Sequence, residues 1–158
     1  MTHLRILGID PGKCTGLALI TESGFRAWQV TDRIVPAILE VIRENVPCHI
    51  ACERFVHGMR SVRNTSQNSA AIVVNALSVQ CEALGIPFER QAAGEAKLLS
   101  NNLLQRVGLY TVHKEHANDA AKHALFYLLK HYPTEYHNMI TTGHLYPEES
   151  NDPKESNA

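Results

Sequence analysis

A chain of 158 residues with 44% hydrophobic and 20% charged side chains suits one domain with a substantial core and excludes a wholly disordered polymer. No run reaches the roughly 18 to 20 apolar residues that span a bilayer, and the first residues lack the basic, apolar and small-residue succession of a signal peptide. The formal net charge of -1 argues against a uniformly basic nucleic-acid coat, so any such partner must be met by a local patch. In chain order, residues 4 to 9 predict a mostly apolar strand that runs into Asp10, Pro11 and Gly12. Residues 16 to 21 and 25 to 30 predict two more, joined at Ser23-Gly24, so the first three strands are expected to form an antiparallel meander.

A helix follows. Thr31 or Asp32 is placed to cap it, Pro36 is tolerable in its first turn, and Ile34, Val35, Ile38, Leu39 and Ile42 supply its apolar face. "HIACERF", entered through Val46-Pro47, predicts the fourth strand, with Glu53 at its end. Next come a polar loop from about His57 to Asn68, a long helix from about Ser69 to Leu84 stopped by Gly85, and a short fifth strand in "IPFERQ". "AGEAKLLSNNLLQRVG" is expected to be one helix ending near Gly108, and His116 to Lys130 a last helix with closely packed alanines on one side. The order is α/β: a mixed five-stranded sheet flanked by helices. The domain is expected to occupy residues 1–132. Residues 133–158 are expected to form a polar extension ending in an acidic, disordered tail, with Glu148, Glu149, Asp152 and Glu155 against Lys154 alone.

The charge is unevenly spread. No Asp or Glu occurs between Glu53 and Glu82, whereas Arg54, His57, Arg60 and Arg63 cluster just after Glu53, which makes the middle of the chain locally basic. Cys14, Cys48, Cys52 and Cys81 form no Cys-x-x-Cys pair and are read as reduced core or near-core residues of a cytoplasmic protein rather than as a zinc site.

Asp10 and Glu53 sit at strand ends, and His116 and Asp119, three residues apart, share one face at the start of the last helix. A carboxylate at the end of a buried strand needs a partner. Hard oxygen donors with at most one imidazole favour Mg2+ or Mn2+ over zinc. Each piece alone has an ordinary reading: Asp-Pro-Gly as a turn, His116 as a capping or packing residue, Lys97 as a surface lysine. Their joint occurrence, in order and with the right element between each, is the distinguishing signal.

"ILGIDPGKCTGLALI", then "IACERF", then "HANDAAKHAL" resembles the RuvC-type Holliday junction resolvases, nucleases with an RNase H-like fold, over roughly residues 4 to 131. Position by position, the resemblance implies Asp10, Glu53, His116 and Asp119 as the catalytic, metal-binding set, with two Mg2+ ions, or Mn2+ as substitute. Such ions activate a water and stabilise the leaving 3′ oxygen of a phosphodiester. It further implies a homodimer that makes symmetric cuts in branched DNA at the nucleoid. Contacts to DNA are expected from Arg54, Phe55, Arg60, Arg63, Asn64 and Lys97, residue types suited to phosphates, sugars and an exposed base. No helicase partner can be read from the residues. Within the same fold, hydrolysis of RNA in hybrids or of flaps is the nearer alternative. A phosphate-binding ATPase domain of the actin and Hsp70 superfamily is the remoter one, since "DPGKCTG" fits its first turn but one domain offers only half a cleft.

Overall fold

The computed structural model describes residues 3–46, 48–55 and 65–146. Five strands, β1 (Ile6–Asp10), β2 (Thr15–Thr21), β3 (Gly24–Val30), β4 (His49–Glu53) and β5 (Phe88–Gln91), form one sheet in the order β3-β2-β1-β4-β5. The expected meander is present: β1 pairs antiparallel with β2, and β2 with β3. Parallel pairing of β1 with β4 and of β4 with β5 makes the sheet mixed. Every residue of β1 is buried, as befits a central strand covered on both faces.

The helices are α1 (Ile34–Glu44), α2 (Thr65–Leu84), α3 (Ala93–Ala96), α4 (Asn101–Arg106), α5 (Glu115–His131) and α6 (Pro133–Thr142). They cover the two faces of the sheet. Leu7, Ile9, Leu17, Ile50 and Cys52 point to one side, where they meet Ile38 and Ile42 of α1 and Val73, Val74 and Leu77 of α2. Ile6, Ala18, Ile20 and Ala51 point to the other, against Ala120, Ala121, Ala124 and Leu128 of α5. The period-2 alternation of strands thus assigns alternate residues to opposite layers. Among the described residues no helix is long and apolar enough to cross a membrane.

Three local expectations are corrected. Neither Thr31 nor Asp32 caps α1; Arg33 stands at its N-cap with φ 45° and makes no capping hydrogen bond through its side chain. Pro36 lies within the first turn, where its missing N–H forgoes no helical hydrogen bond. The single helix expected from "AGEAKLLSNNLLQRVG" is two, because Ser100 starts a new one: its Oγ accepts from the Leu103 N–H at 3.1 Å. Serine and asparagine compete with a helix for backbone partners, so Ser100-Asn101-Asn102 ends α3's turn and caps α4. Ser100→Ala should therefore lower stability by about 1 kcal/mol in urea unfolding; an unchanged midpoint would deny the cap any weight. Finally, the polar extension after residue 132 contains α6, whose Met139, with Leu145 beyond it, is fully buried in the α5-side core. The acidic tail from residue 147 lies outside the described residues.

Candidate active site

The sheet register brings the two strand-end acids together. Ile9 pairs with Cys52 across the parallel β1–β4 ladder, so Asp10 and Glu53 follow side by side at the same edge. Asp10 is two residues beyond Gly8, and Glu53 two beyond Ala51, so both point to the α5 layer. The sequence folds α5 onto that layer very closely. Glycines at 8 and 16 let the backbone of Ala120 and His116 rest directly on β1 and β2. Asn118, buried, pins the loop before the helix by accepting from the Thr111 N–H at 2.8 Å and donating to the Thr111 carbonyl at 2.9 Å. His116 is thereby delivered to Asp10, with Nδ1 2.8 Å from the carboxylate Oδ2.

Asp10 is 8% exposed. Burial, and secondarily the neighbouring Glu53, push its carboxyl up to about 6 despite the opposing pull of His116. Glu53 goes the other way: the His123 imidazole holds it below the ordinary carboxylate range against the effect of burial. A proton in this pair therefore rests on Asp10.

Two clefts meet at Glu53. The first, about 440 Å³, is lined by Asp10, the turn from Pro11 to Cys14, Glu53, Phe55, Ala70 and His116. The second, about 230 Å³, is lined by Glu53, Ala93, Ala96, Lys97, Asp119, Lys122 and His123. Asp10, Glu53 and His116 are thus brought together, whereas Asp119 stands across Glu53 in the second cleft and is ion-paired with Lys122 at 2.9 Å. Lys97 joins Asp119 there. Arg54 is exposed, and Phe55 both lines the first cleft and packs on the core at the α1–α2 side. Arg60, Arg63 and Asn64 lie outside the described residues.

The donor chemistry fits a divalent cation. Two adjoining carboxylates, one of them buried enough to retain a proton near pH 6, are a pair that a hard cation would relieve. Among the described residues no three His, Cys, Asp or Glu side chains are already gathered as a metal cage. His116 is engaged with Asp10, and Asp119 with Lys122. Residues missed from sequence are His123, Gln91 and Lys122. For His123 a signal existed, because it lies seven residues after His116 and so two turns along the same face.

No family model matches the chain, and no curated protein matches it in sequence. Among solved structures it is similar to T. thermophilus RuvC in complex with a Holliday junction substrate, with a TM-score of 0.63 and 21% identity; the match covers 82% of this chain and 97% of that one. At this identity the likeness speaks for architecture, and the strand order and flanking helices agree with it: the chain has an RNase H-like fold, built on a mixed five-stranded sheet.

Proposed function

We propose that the protein is a divalent-metal-dependent endonuclease that resolves four-way and related branched DNA by paired phosphodiester hydrolysis. The observation that carries this reading is the meeting of Asp10 and Glu53 on adjacent parallel strands beneath the start of α5, where His116 touches Asp10 and Asp119 stands beyond Glu53. Asp10 and Glu53, with Asp119 and His116, would hold Mg2+ or Mn2+, which when bound supplies activation of the attacking water and neutralisation of charge at the leaving 3′ oxygen.

The protein's own groups do the rest. Pro11 and Gly12 turn the chain away from Asp10 and keep the first cleft open to a phosphate. His116 fixes the orientation of the Asp10 carboxylate. Lys97 and Lys122 place positive charge in the second cleft, where the DNA backbone continues past Glu53. Arg54, which is exposed, extends that grip, Arg60, Arg63 and Asn64 add residue types suited to phosphates and sugars, and Phe55 lines the first cleft.

Two opposed cuts in a two-fold symmetric junction call for two such sites, hence a homodimer. On α2, Ile72 and Val79 lie seven residues apart and are 66% and 64% exposed, an apolar stripe suited to a second copy. The reading places the protein in the cytoplasm with the chromosomal DNA.

Cleavage of labelled four-way, three-way, flap, linear duplex and RNA–DNA hybrid substrates with Mg2+ or Mn2+ tests this. Paired symmetric nicks in the four-way junction are expected. Cutting of hybrids alone, or of flaps by a monomer, would replace the resolvase reading with the corresponding RNase H-like activity. Arg60→Ala with Arg63→Ala should weaken junction binding and lower the salt slope by about one unit per lost phosphate contact. An unchanged slope in fluorescence titrations would remove these two arginines from the DNA interface.

A further inference from the structure

Behind Glu53 lies an imidazole sealed from solvent. His123 is 2% exposed. Its Nε2 faces Glu53 Oε2 at 3.6 Å, and its Nδ1 lies 2.8 Å from Gln91 Oε1. Gln91 is the cross-strand neighbour of Glu53 in the β4–β5 ladder, and its Nε2 donates to Glu89 Oε1 at 3.3 Å. Glu89 is in turn held by His131 and Lys130 at the surface.

The chemistry of this chain fixes its polarity. A Glu89 carboxylate only accepts, so the Gln91 amide nitrogen must point to it and the amide oxygen to His123. Nδ1 of His123 therefore donates to Gln91, and Nε2 is the nitrogen presented to Glu53; because a carboxylate only accepts, the contact holds Glu53 with a hydrogen on Nε2 as well. Buried polar runs of this kind are costly unless every member is satisfied. Gln91 satisfies only Nδ1; the partner chosen for the other ring nitrogen is an acid that lines both clefts, so satisfying the buried imidazole and orienting that acid are one contact.

We propose that His123 is a positioning residue, anchored through Nδ1 by Gln91 and Glu89, that holds the Glu53 carboxylate in place for metal binding between the two clefts. The inference rests on the metal-nuclease reading above only for its final use; the lock itself is a property of the folded chain. Partners of this kind behind a metal ligand set its orientation, and their loss typically weakens metal affinity 10- to 100-fold.

The test uses the full chain as wild type, His123→Phe, His123→Gln and Gln91→Leu, with Mn2+ alone titrated calorimetrically and Mg2+ dependence measured on the four-way junction. His123→Phe should bind Mn2+ about 10- to 100-fold more weakly and raise the half-saturating Mg2+ by a similar factor, with the loss carried by metal saturation rather than by turnover at saturating Mg2+. His123→Gln, which keeps a donor toward Glu53, should recover to within about threefold, and Gln91→Leu should shift affinity in the same direction as His123→Phe but less. Wild-type Mn2+ affinity in a folded His123→Phe would overturn the proposal, as would a loss confined to turnover. If His123→Phe fails to fold, Gln91→Leu and the ¹⁵N spectrum of the wild-type ring decide, and a ring lacking a hydrogen on either nitrogen overturns the lock. A wild type that binds Mn2+ with this pattern of variants but cuts no nucleic acid would overturn the nuclease reading and uphold the positioning role. One that binds no Mn2+ would overturn both.

Discussion

Asp10→Asn is expected to reduce junction cleavage by about a thousandfold while raising the stability of the metal-free protein at neutral pH. The loss follows from removing the charge of the most buried carboxylate at the site, the one shared between Glu53 and His116. The gain follows from the same burial. Asp10 titrates near 3.8 when exposed and near 6 in the fold, so the folded chain binds this proton more tightly than the unfolded one. Stability from this group is then fully present below pH 3.8, falls as the pH rises toward 6, and stays reduced above it. A rise from 3.8 to about 6 is worth about 3 kcal/mol at most, since a tenfold change in proton affinity is about 1.4 kcal/mol and losing the His116 contact works against the gain.

Urea unfolding in EDTA should show wild type weakening between about pH 4 and 6 and Asp10→Asn holding level across that window. Added Mg2+ should stabilise wild type and leave the variant nearly unmoved. Near-normal cleavage by Asp10→Asn would remove Asp10 from the metal set. A variant less stable than wild type at pH 7.5 in EDTA would show that the buried carboxylate is not strained. The expected combination is that of a functional residue kept at the expense of the fold.

What could be read from the residues, and what could not, divides along the range of the interactions. Asp10 and Glu53 were legible as strand-end acids, because a charge closing an apolar run marks where a buried strand ends. His116 and Asp119 were legible as neighbours on one helix face through their spacing, whereas their engagement with Asp10 and Lys122 was not. The role of Gln91 was not, because it depends on which strand lies beside β4 and in what register, a relation between residues nearly forty positions apart. His123 stands within "HANDAAKHAL", but its partners belong to two different strands, which the residues alone do not bring together.

The misplaced helix boundaries have a similar cause. Periodicity runs smoothly through "AGEAKLLSNNLLQRVG", and only the Ser100 hydroxyl, by capping α4, decides that the chain breaks there. In α6 the apolar signal is too sparse to announce a helix, yet Met139 is fully buried because α5 supplies a face for it. The converse holds for α1, whose apolar face was evident although its cap was not.

Gly16→Ala is expected to destabilise the protein by about 3 kcal/mol and to lower cleavage further than that loss explains. A methyl built on Gly16 would lie 1.8 Å from the His116 carbonyl oxygen, and one on Gly8 2.0 Å from that of Ala120. These are backbone atoms of α5, which no rotamer change can move. The helix must lift from the sheet, at the end that carries His116 for Gly16→Ala and a turn further in for Gly8→Ala. For Gly16→Ala the lift acts on the 2.8 Å contact between His116 and Asp10, so damage to the site accompanies damage to the fold. Gly8→Ala should be the more destabilising of the two, because its methyl meets two successive turns of α5, at Ala120 O and Ala124 N, in the middle of the core, whereas that of Gly16 meets only the helix start at His116 and Ala117. Gly94, in α3, has open space around its Cβ position, so Gly94→Ala should be neutral or stabilising by up to about 1 kcal/mol. Urea midpoints for the three variants, with cleavage assayed at a temperature where each remains folded, separate the two effects. If Gly16→Ala were as stable as Gly94→Ala, α5 would not rest on β2 as described. If it lost stability but kept full cleavage per folded molecule, the closeness of α5 would serve the core alone, and the placement of His116 would have to come from Asn118 and the loop it holds.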